Sequence, residues 1–208
     1  AAADELTQEQ WQQRVAEAVG GSGCTQKVVD RLVQGTRYVR VDATSANDLH
    51  ALLDGLTGPV VLYFALPPAI SMRACEALST FGLPEQVSLA IEKPFGTDLA
   101  SAQSFNALLR RLAPEQRVFR VDHFLGKSTV LNLLGLRFTN RFFEPVWNRD
   151  NVARIEIIAD EALALEGRSG YYDHSGALKD MIQSHLLLVM ALLCMEAPNR
   201  IEAGEIRT

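Results

Sequence analysis

An acid, a histidine and an apolar helix could together build a site for proton transfer. His185 stands in the otherwise apolar run 182–188, and Asp122 directly precedes His123. A neutral imidazole that is oriented by a buried carboxylate can take the proton of a sugar hydroxyl near pH 7 while a hydride leaves for a nicotinamide. We therefore predict that Asp122 and His185 form such a pair, the alternative being a core histidine that makes a single hydrogen bond.

Cationic side chains nearby could hold anionic groups. His123 and Lys127 are separated by a turn containing Gly126, and a phosphate group needs such donors around it. Lys93 follows a predicted strand and precedes Pro94, so it could donate to a substrate or cofactor. Because a lysine there must turn sharply out of the sheet, we expect a cis Lys93–Pro94 bond. In the simpler interpretation Lys93 is a surface lysine and His123 a loop cation.

Strands and helices alternate ahead of these residues. Apolar runs bounded by Gly and Pro predict strands, with 59–66 expected to be buried on both faces of a parallel sheet. Ligands bind at the carboxyl ends of such strands, where Lys93 and Asp122 are placed. The predicted strands are 38–41, 59–66, 87–91 and 117–121, and the predicted helices are 4–19 with a capping box at Thr7 and Gln10, 47–56, 69–79 and 99–112.

The pattern changes after residue 121. Residues 152–160 alternate between polar and apolar types, which predicts a half-exposed antiparallel strand, and residues 176–195 predict a long apolar helix. The predicted fold class is α/β plus α+β. Residues 1–121 would form an incomplete doubly wound parallel-sheet domain of the Rossmann type, which binds dinucleotides, and 122–208 the start of an antiparallel-sheet α+β domain.

The composition of the chain excludes several classes of binding partner. The net charge is -5 and no basic run occurs in the 208 residues, which argues against nucleic acid or an anionic membrane surface as a partner. The longest apolar run, 186–195, is too short to span a bilayer. Three widely spaced cysteines without a C-x-x-C pair indicate reduced thiols and predict no metal site. We expect a cytoplasmic protein that binds a small molecule or another protein.

One expected motif is absent. A dinucleotide-binding sheet normally has a G-x-G-x-x-G turn between its first strand and helix, and none occurs in the sequence. The glycines at 20, 21 and 23 follow a predicted helix instead. We therefore expect the chain to be the central portion of a longer protein.

Five motifs together resemble the glucose-6-phosphate dehydrogenase family. Each is weak alone, but they occur in the family's order and spacing, and the resemblance extends over essentially the whole chain. The motifs are EKPFG at 92–96, RVDHFLGK at 120–127, LRFTNR at 136–141, WNRDN at 147–151 and DMIQSHL at 180–186.

The resemblance implies NADP-linked oxidation of D-glucose 6-phosphate to 6-phospho-D-glucono-1,5-lactone, the first step of the oxidative pentose phosphate pathway. It implies that His185 is the proton acceptor with Asp122 as its partner, and that 122–208 begins a substrate-binding and dimerisation domain in a homo-oligomer. It further places His123 and Lys127 on the sugar phosphate, Lys93 on substrate and cofactor, and Glu161 and Asp180 on sugar hydroxyls.

The sequence also departs from the family pattern. Phe124 stands where the family usually has Tyr, and Ser184 replaces an Asn. On an ideal α-helix Asp180 and His185 would lie about 140° apart, so they could share a pocket only at its flanks. Two other functions stay open: a different sugar oxidoreductase with a nucleotide-binding domain, and a non-catalytic paralogue or fragment that acts as a binding scaffold.

Overall fold

A three-stranded parallel sheet organises the first of the two units into which the chain divides, Ala1–Val121 and Asp122–Thr208. The computed structural model describes residues 4–160, 173, 176 and 178–206. Val60 lies opposite Val87 and Leu89 opposite Val118, so the sequence-predicted α/β alternation is confirmed. Along the chain the elements are α1 (Gln8–Gly20), α2 (Gln26–Gly35), α3 (Ala46–Leu53), β1 (Val60–Phe64), α4 (Pro68–Ser79), β2 (Val87–Glu92), α5 (Leu99–Leu112) and β3 (Val118–Val121).

The core of the first unit lies on one face of the sheet. Leu89 and Ile91 of the central strand β2 are almost fully buried, together with Leu78 of α4 and Phe105 and Leu109 of α5. Burying a side chain of this size contributes roughly 1.5–3 kcal/mol. The end of β2, after which Lys93 follows, is therefore anchored by the best-packed part of the unit.

The other face of the sheet is open, which corrects one prediction. Val61 and Tyr63 of β1 are 60% and 55% exposed, and Phe119 of β3 is 53% exposed. Side chains alternate across a strand, and α4 and α5 pack on the face of Leu89 and Ile91. The apolar run 59–66 therefore has one buried face. The prediction of two failed because apolar composition does not specify whether anything covers the second face.

Two predicted strands are wrong. In 38–41 only Arg40 makes a bridge pair, and the backbone N–H of Tyr38 donates to Gln8 Oε1 at 2.8 Å instead of to a neighbouring strand. Residues 152–160 contain no strand. A strand needs a neighbouring strand to which it is hydrogen-bonded. The described residues of the second unit contain no strand. The capping box of α1, by contrast, is confirmed at Thr7 and Gln10.

The turn after β2 packs against the start of α5. Its Lys93–Pro94 peptide bond is cis, as predicted. Asp98 and Ser101 form a capping box at the beginning of α5. A Cβ at Gly96 would lie 2.6 Å from the backbone nitrogen of Ala102 and 2.8 Å from Ser101 Oγ. Only a residue without a side chain fits between the turn and the helix.

The second unit is helical in its described residues. It contains α6 (Ser128–Phe138), a short 3₁₀ turn at Glu144–Val146, a π-helix at Leu178–Leu186, α7 (Leu187–Cys194) and α8 (Ala203–Ile206). The π-helix and α7 are continuous over 178–194, so the described part of the apolar helix predicted over 176–195 is helical with two kinds of winding. No helix in the described part of the chain is both long and apolar enough to cross a membrane.

A buried arginine holds the end of α7. Arg137 of α6 is 6% exposed and donates to the carbonyl oxygens of Leu192 and Met195, the latter at 2.6 Å. Trp147 Nε1 donates to the carbonyl of Leu193 at 2.9 Å, and its ring lies 5.4 Å from the guanidinium carbon. Burial lowers the pKa of Arg137, but a guanidinium stays charged and suits the negative end of a helix dipole.

Gly96→Ala is expected to lower the free energy of unfolding by about 1–3 kcal/mol, because the added methyl group collides with backbone that cannot move independently. Thermal unfolding measures the change. Gly20→Ala is the matched control: no atom lies within 4 Å of that Cβ position at the end of α1, so its effect should stay within about 1 kcal/mol. Equal stability of the two variants would contradict the close packing.

Arg137→Lys is expected to free the last turn of α7, because an ammonium group cannot reproduce the forked contacts with two carbonyls. Hydrogen bonds to a charged donor contribute about 1.5–3 kcal/mol, so amide exchange in α7 should accelerate roughly tenfold or more. Hydrogen–deuterium exchange measures this, with the exposed Arg141→Lys as control. Unchanged exchange in α7 would show that other contacts hold the helix end.

Candidate active site

The structure joins Asp122 to His185 by a buried hydrogen bond. His185 Nδ1 lies 2.8 Å from Asp122 Oδ1, and the two side chains are 1% and 9% exposed. Asp122 comes directly after β3, and His185 lies in the π-helix, 63 residues further along the chain. With an ionised carboxylate as acceptor, Nδ1 carries the imidazole proton and Nε2 keeps the lone pair. This arrangement leaves Nε2 as the basic atom.

Asp122 is itself fixed by the backbone. The N–H of Phe124 donates to Asp122 Oδ1 at 2.9 Å, a local turn in which the side chain accepts from the residue two positions on. Further backbone bonds run from Gly126 N–H to His123 O at 3.2 Å and from Lys127 N–H to Phe124 O at 3.1 Å. The segment 122–127 is thus a tight turn whose carboxylate has a defined direction.

Rings from this turn surround the His185 imidazole. The Phe124 ring is stacked on it, with centroids 4.1 Å apart and planes inclined by 16°. The His123 ring meets it edge-on at 4.6 Å. Lys127 Nζ lies 3.9 Å from the centroid of the Phe124 ring. Three residues of one short turn therefore contact a histidine that comes from a distant helix, and a fourth, Lys127, contacts the ring stacked on it.

The same residues form a cluster that the sequence spacing did not indicate. Asp122, His123 and His185 each bring a nitrogen or oxygen atom to within 4.8 Å of the others. Two imidazoles and a carboxylate are donors that transition metals accept. The Asp122–His185 hydrogen bond, however, already engages one atom of each of those two residues. The geometry is that of an acid–base pair with a second imidazole beside it.

The π-helix places Asp180 and His185 on one side of the helix. In this winding a hydrogen bond joins residues five positions apart, so such residues lie one turn above each other. Both side chains are buried, at 9% and 1% exposure, and Ser184 Oγ donates to the Asp180 carbonyl at 2.6 Å. The expectation of a 140° separation is therefore wrong, because it assumed 3.6 residues per turn.

Of the other predicted site residues that the structure describes, two lie in the turn at 122–127 and one follows β2. His123 and Lys127 are exposed. Lys93 is half-buried in the first unit, directly after β2, where the neighbouring Glu92 accepts a hydrogen bond from Tyr63 at 2.5 Å. That bond raises the pKa of Tyr63. Glu161 lies outside the described residues.

Sequence reasoning missed two contributions. It considered Phe124 only for the hydroxyl group that it lacks, and gave Arg137 no role. Both residues belong to the motifs at 120–127 and 136–141, and an arginine amid the apolar residues of α6 is a signal that could have been used.

Comparison with known proteins agrees with the motifs. Residues 1–132 match the family model for the NAD binding domain of glucose-6-phosphate dehydrogenase, and residues 134–208 match the model for its C-terminal domain. Among curated relatives, a glucose-6-phosphate 1-dehydrogenase of Mycolicibacterium smegmatis is 42% identical over 189 residues, which cover 86% of this chain and 38% of the relative. That of Zymomonas mobilis is 43% identical over 175 residues, covering 82% and 36%.

Solved structures show the same likeness. The glucose-6-phosphate 1-dehydrogenase of Mycobacterium avium has a TM-score of 0.86 at 37% identity, covering 99% of this chain and 46% of that one. A glucose-6-phosphate dehydrogenase in complex with its substrate glucose-6-phosphate has a TM-score of 0.84 at 31% identity, with the same coverage. The chain spans less than half the length of these relatives. On its sequence and its fold, the chain belongs to the glucose-6-phosphate dehydrogenase family.

Proposed function

We propose that the protein to which this chain belongs oxidises D-glucose 6-phosphate to 6-phospho-D-glucono-1,5-lactone with NADP as hydride acceptor. The observation that carries the proposal is the buried hydrogen bond between Asp122 and His185. A solved relative that is 31% identical to this chain is described in complex with glucose-6-phosphate, which supports the assignment of this sugar phosphate as the substrate. The reaction would be the first step of the oxidative pentose phosphate pathway.

In the proposed reaction His185 is the general base. The C1 hydroxyl of the sugar loses its proton to His185 Nε2 as a hydride leaves C1, so one proton and one hydride account for the two hydrogens removed. Asp122 holds the proton on Nδ1 and stabilises the imidazolium that forms. Because both side chains are buried, this charge pair is less screened than it would be in water. The bound nicotinamide supplies the hydride acceptor.

The sugar phosphate is proposed to bind at His123 and Lys127. Both are exposed members of the turn that also carries Asp122, so a phosphate held there lies close to the general base. Charge-assisted bonds from cations to phosphate are about twice as strong as neutral ones. Asp180, buried on the same side of the π-helix as His185, is proposed to accept from sugar hydroxyls. Glu161 is proposed for the same role from the family resemblance.

Lys93 is proposed as this chain's contribution to cofactor and substrate binding. It follows the central strand of a parallel sheet, at the edge where dinucleotides bind in such folds. The close fit of Gly96 against α5 fixes the turn that carries it. The described residues do not include a Gly-rich turn from a strand into a helix, so the pyrophosphate would be held by other parts of the protein. NADP rather than NAD is proposed from the family resemblance.

We propose a different binding role for each of the two units. We propose that residues 1–121 belong to the dinucleotide-binding domain and 122–208 to the substrate-binding and dimerisation domain of a homo-oligomer. The cytoplasm is the proposed location, and two plant relatives are described as cytoplasmic isoforms. Neither nucleic acid nor a membrane is proposed as a partner.

His185→Asn in the whole protein is expected to lower kcat by roughly 10² to 10⁴, with little change in KM for glucose 6-phosphate, because an amide cannot accept the proton. Steady-state kinetics with NADP measure both constants. His50→Asn is the control, since His50 is an exposed histidine of α3 that packs on Phe81. A wild-type kcat in the His185 variant would rule out His185 as the base. Absence of any turnover in the unaltered protein would contradict the proposed function.

Lys127→Ala is expected to weaken glucose 6-phosphate far more than unphosphorylated glucose, since only the former offers an anion. A charge-assisted bond contributes about 1.5–3 kcal/mol, or roughly a tenfold to hundredfold increase in KM for the phosphorylated sugar. Kinetics with both sugars measure the difference, and Lys27→Ala, at an exposed lysine of α2, provides the control. Equal losses for the two sugars would place the phosphate elsewhere.

A further inference from the structure

We propose that Phe124 is a positioning residue for His185, whose aromatic ring sets the plane of the imidazole. The proposal rests on the proposed function, in which His185 takes a proton from the substrate. It concerns the ring itself and not a hydroxyl group at this position.

The hydrogen bond to Asp122 leaves one rotation of the imidazole undetermined. The bond from His185 Nδ1 to Asp122 Oδ1 lies along one direction and fixes which nitrogen faces the carboxylate. The imidazole can still tilt about the line that joins these two atoms, and a tilt turns the in-plane lone pair of Nε2 away from the substrate hydroxyl. A flat ring stacked on the imidazole face opposes that tilt. Phe124 supplies such a ring, at 4.1 Å and nearly parallel.

The Phe124 ring itself has a neighbour on each face. Lys127 Nζ lies 3.9 Å from the centroid of the Phe124 ring. Because the imidazole already covers one face, the ammonium group has room only over the other face. The exposures agree, since His185 is buried and Lys127 is exposed. The Phe124 ring is therefore in contact on both faces, with the imidazole on one side and, through a cation–π contact, with the ammonium group on the other.

One carboxylate oxygen of Asp122 binds both Phe124 and His185. The Phe124 backbone N–H donates to the same Asp122 oxygen that accepts from His185. One carboxylate thus sets the direction of the imidazole and the place of the residue that stacks on it. Loss of the Phe124 ring would leave the Asp122–His185 bond intact but allow Nε2 to move. A displacement of the reacting atoms by about 1 Å can slow a reaction as much as hundredfold.

The variants separate the ring from the rest of the side chain. Phe124→Leu removes the aromatic face and keeps an apolar side chain, whereas Phe124→Tyr keeps the face. Phe142→Leu is the matched control, because Phe142 is a 77%-exposed phenylalanine of the same unit that packs on Phe143. Each variant is assayed for kcat and KM in the whole protein, and for the His185 ring C–H resonances by NMR without substrate.

We expect Phe124→Leu to lower kcat roughly tenfold to hundredfold with a smaller change in KM, and to remove the ring-current shielding of the His185 C–H protons. Phe124→Tyr should restore both kcat and shielding relative to Phe124→Leu, and Phe142→Leu should change neither. Unchanged His185 resonances in Phe124→Leu, or equal kcat losses in the two leucine variants, would overturn the proposal.

A measurement on the unaltered protein guards against a misfolded variant. Nuclear Overhauser contacts between the Phe124 ring protons and the His185 ring protons are expected, and their absence would overturn the stacking. If the protein shows no turnover with glucose 6-phosphate but the His185 shielding is lost in Phe124→Leu and kept in Phe124→Tyr, the positioning of His185 by Phe124 is supported and the proposed function alone fails.

Discussion

The site depends on one buried hydrogen bond between residues that are 63 positions apart in the chain. Removing a carboxylate from water is costly unless donors satisfy it, and Asp122 obtains the imidazole of His185 and the backbone N–H of Phe124. Both the turn at 122–127 and the π-helix must therefore be correctly placed for either side chain to be buried. The bond also decides the tautomer of His185, because the carboxylate can only accept. The hydrogen bond between His185 Nδ1 and Asp122 Oδ1 is thus needed both for the burial of these side chains and for the proposed proton transfer.

Packing on either side of that bond keeps the helix in place. Rings from 122–127 enclose the imidazole, and Arg137 and Trp147 bind the carbonyl oxygens at the end of α7, which continues from the helix that carries His185. These contacts oppose two different motions, tilting of the imidazole and fraying of the helix end. The proposed base needs both restraints, because a small displacement of the reacting atom slows the reaction.

Much of this arrangement could be predicted from the sequence, and the exceptions have physical causes. The predicted helix 99–112 coincides with α5, and Asp122 and His185 were paired because each was the residue type that the other required. The π-winding was missed because helical periodicity was assumed to be 3.6 residues, a choice that packing makes. The prediction that 59–66 is buried on both faces failed because an apolar run does not show whether a second layer covers the sheet. The strand predicted at 152–160 is absent because polar–apolar alternation does not supply a hydrogen-bonded neighbour.

In the proposed reaction, Asp122 orients His185 and stabilises its protonated form without binding the substrate. The most direct measurement compares Asp122→Asn with the unaltered protein, using titration of glucose 6-phosphate binding alongside kcat. An asparagine is nearly the same shape but can present an amide N–H to Nδ1, which favours the wrong tautomer. For Asp122→Asn we expect an almost unchanged dissociation constant for glucose 6-phosphate and a kcat lower by about three to four orders of magnitude. Lost binding with a preserved kcat would contradict it and make Asp122 a substrate ligand.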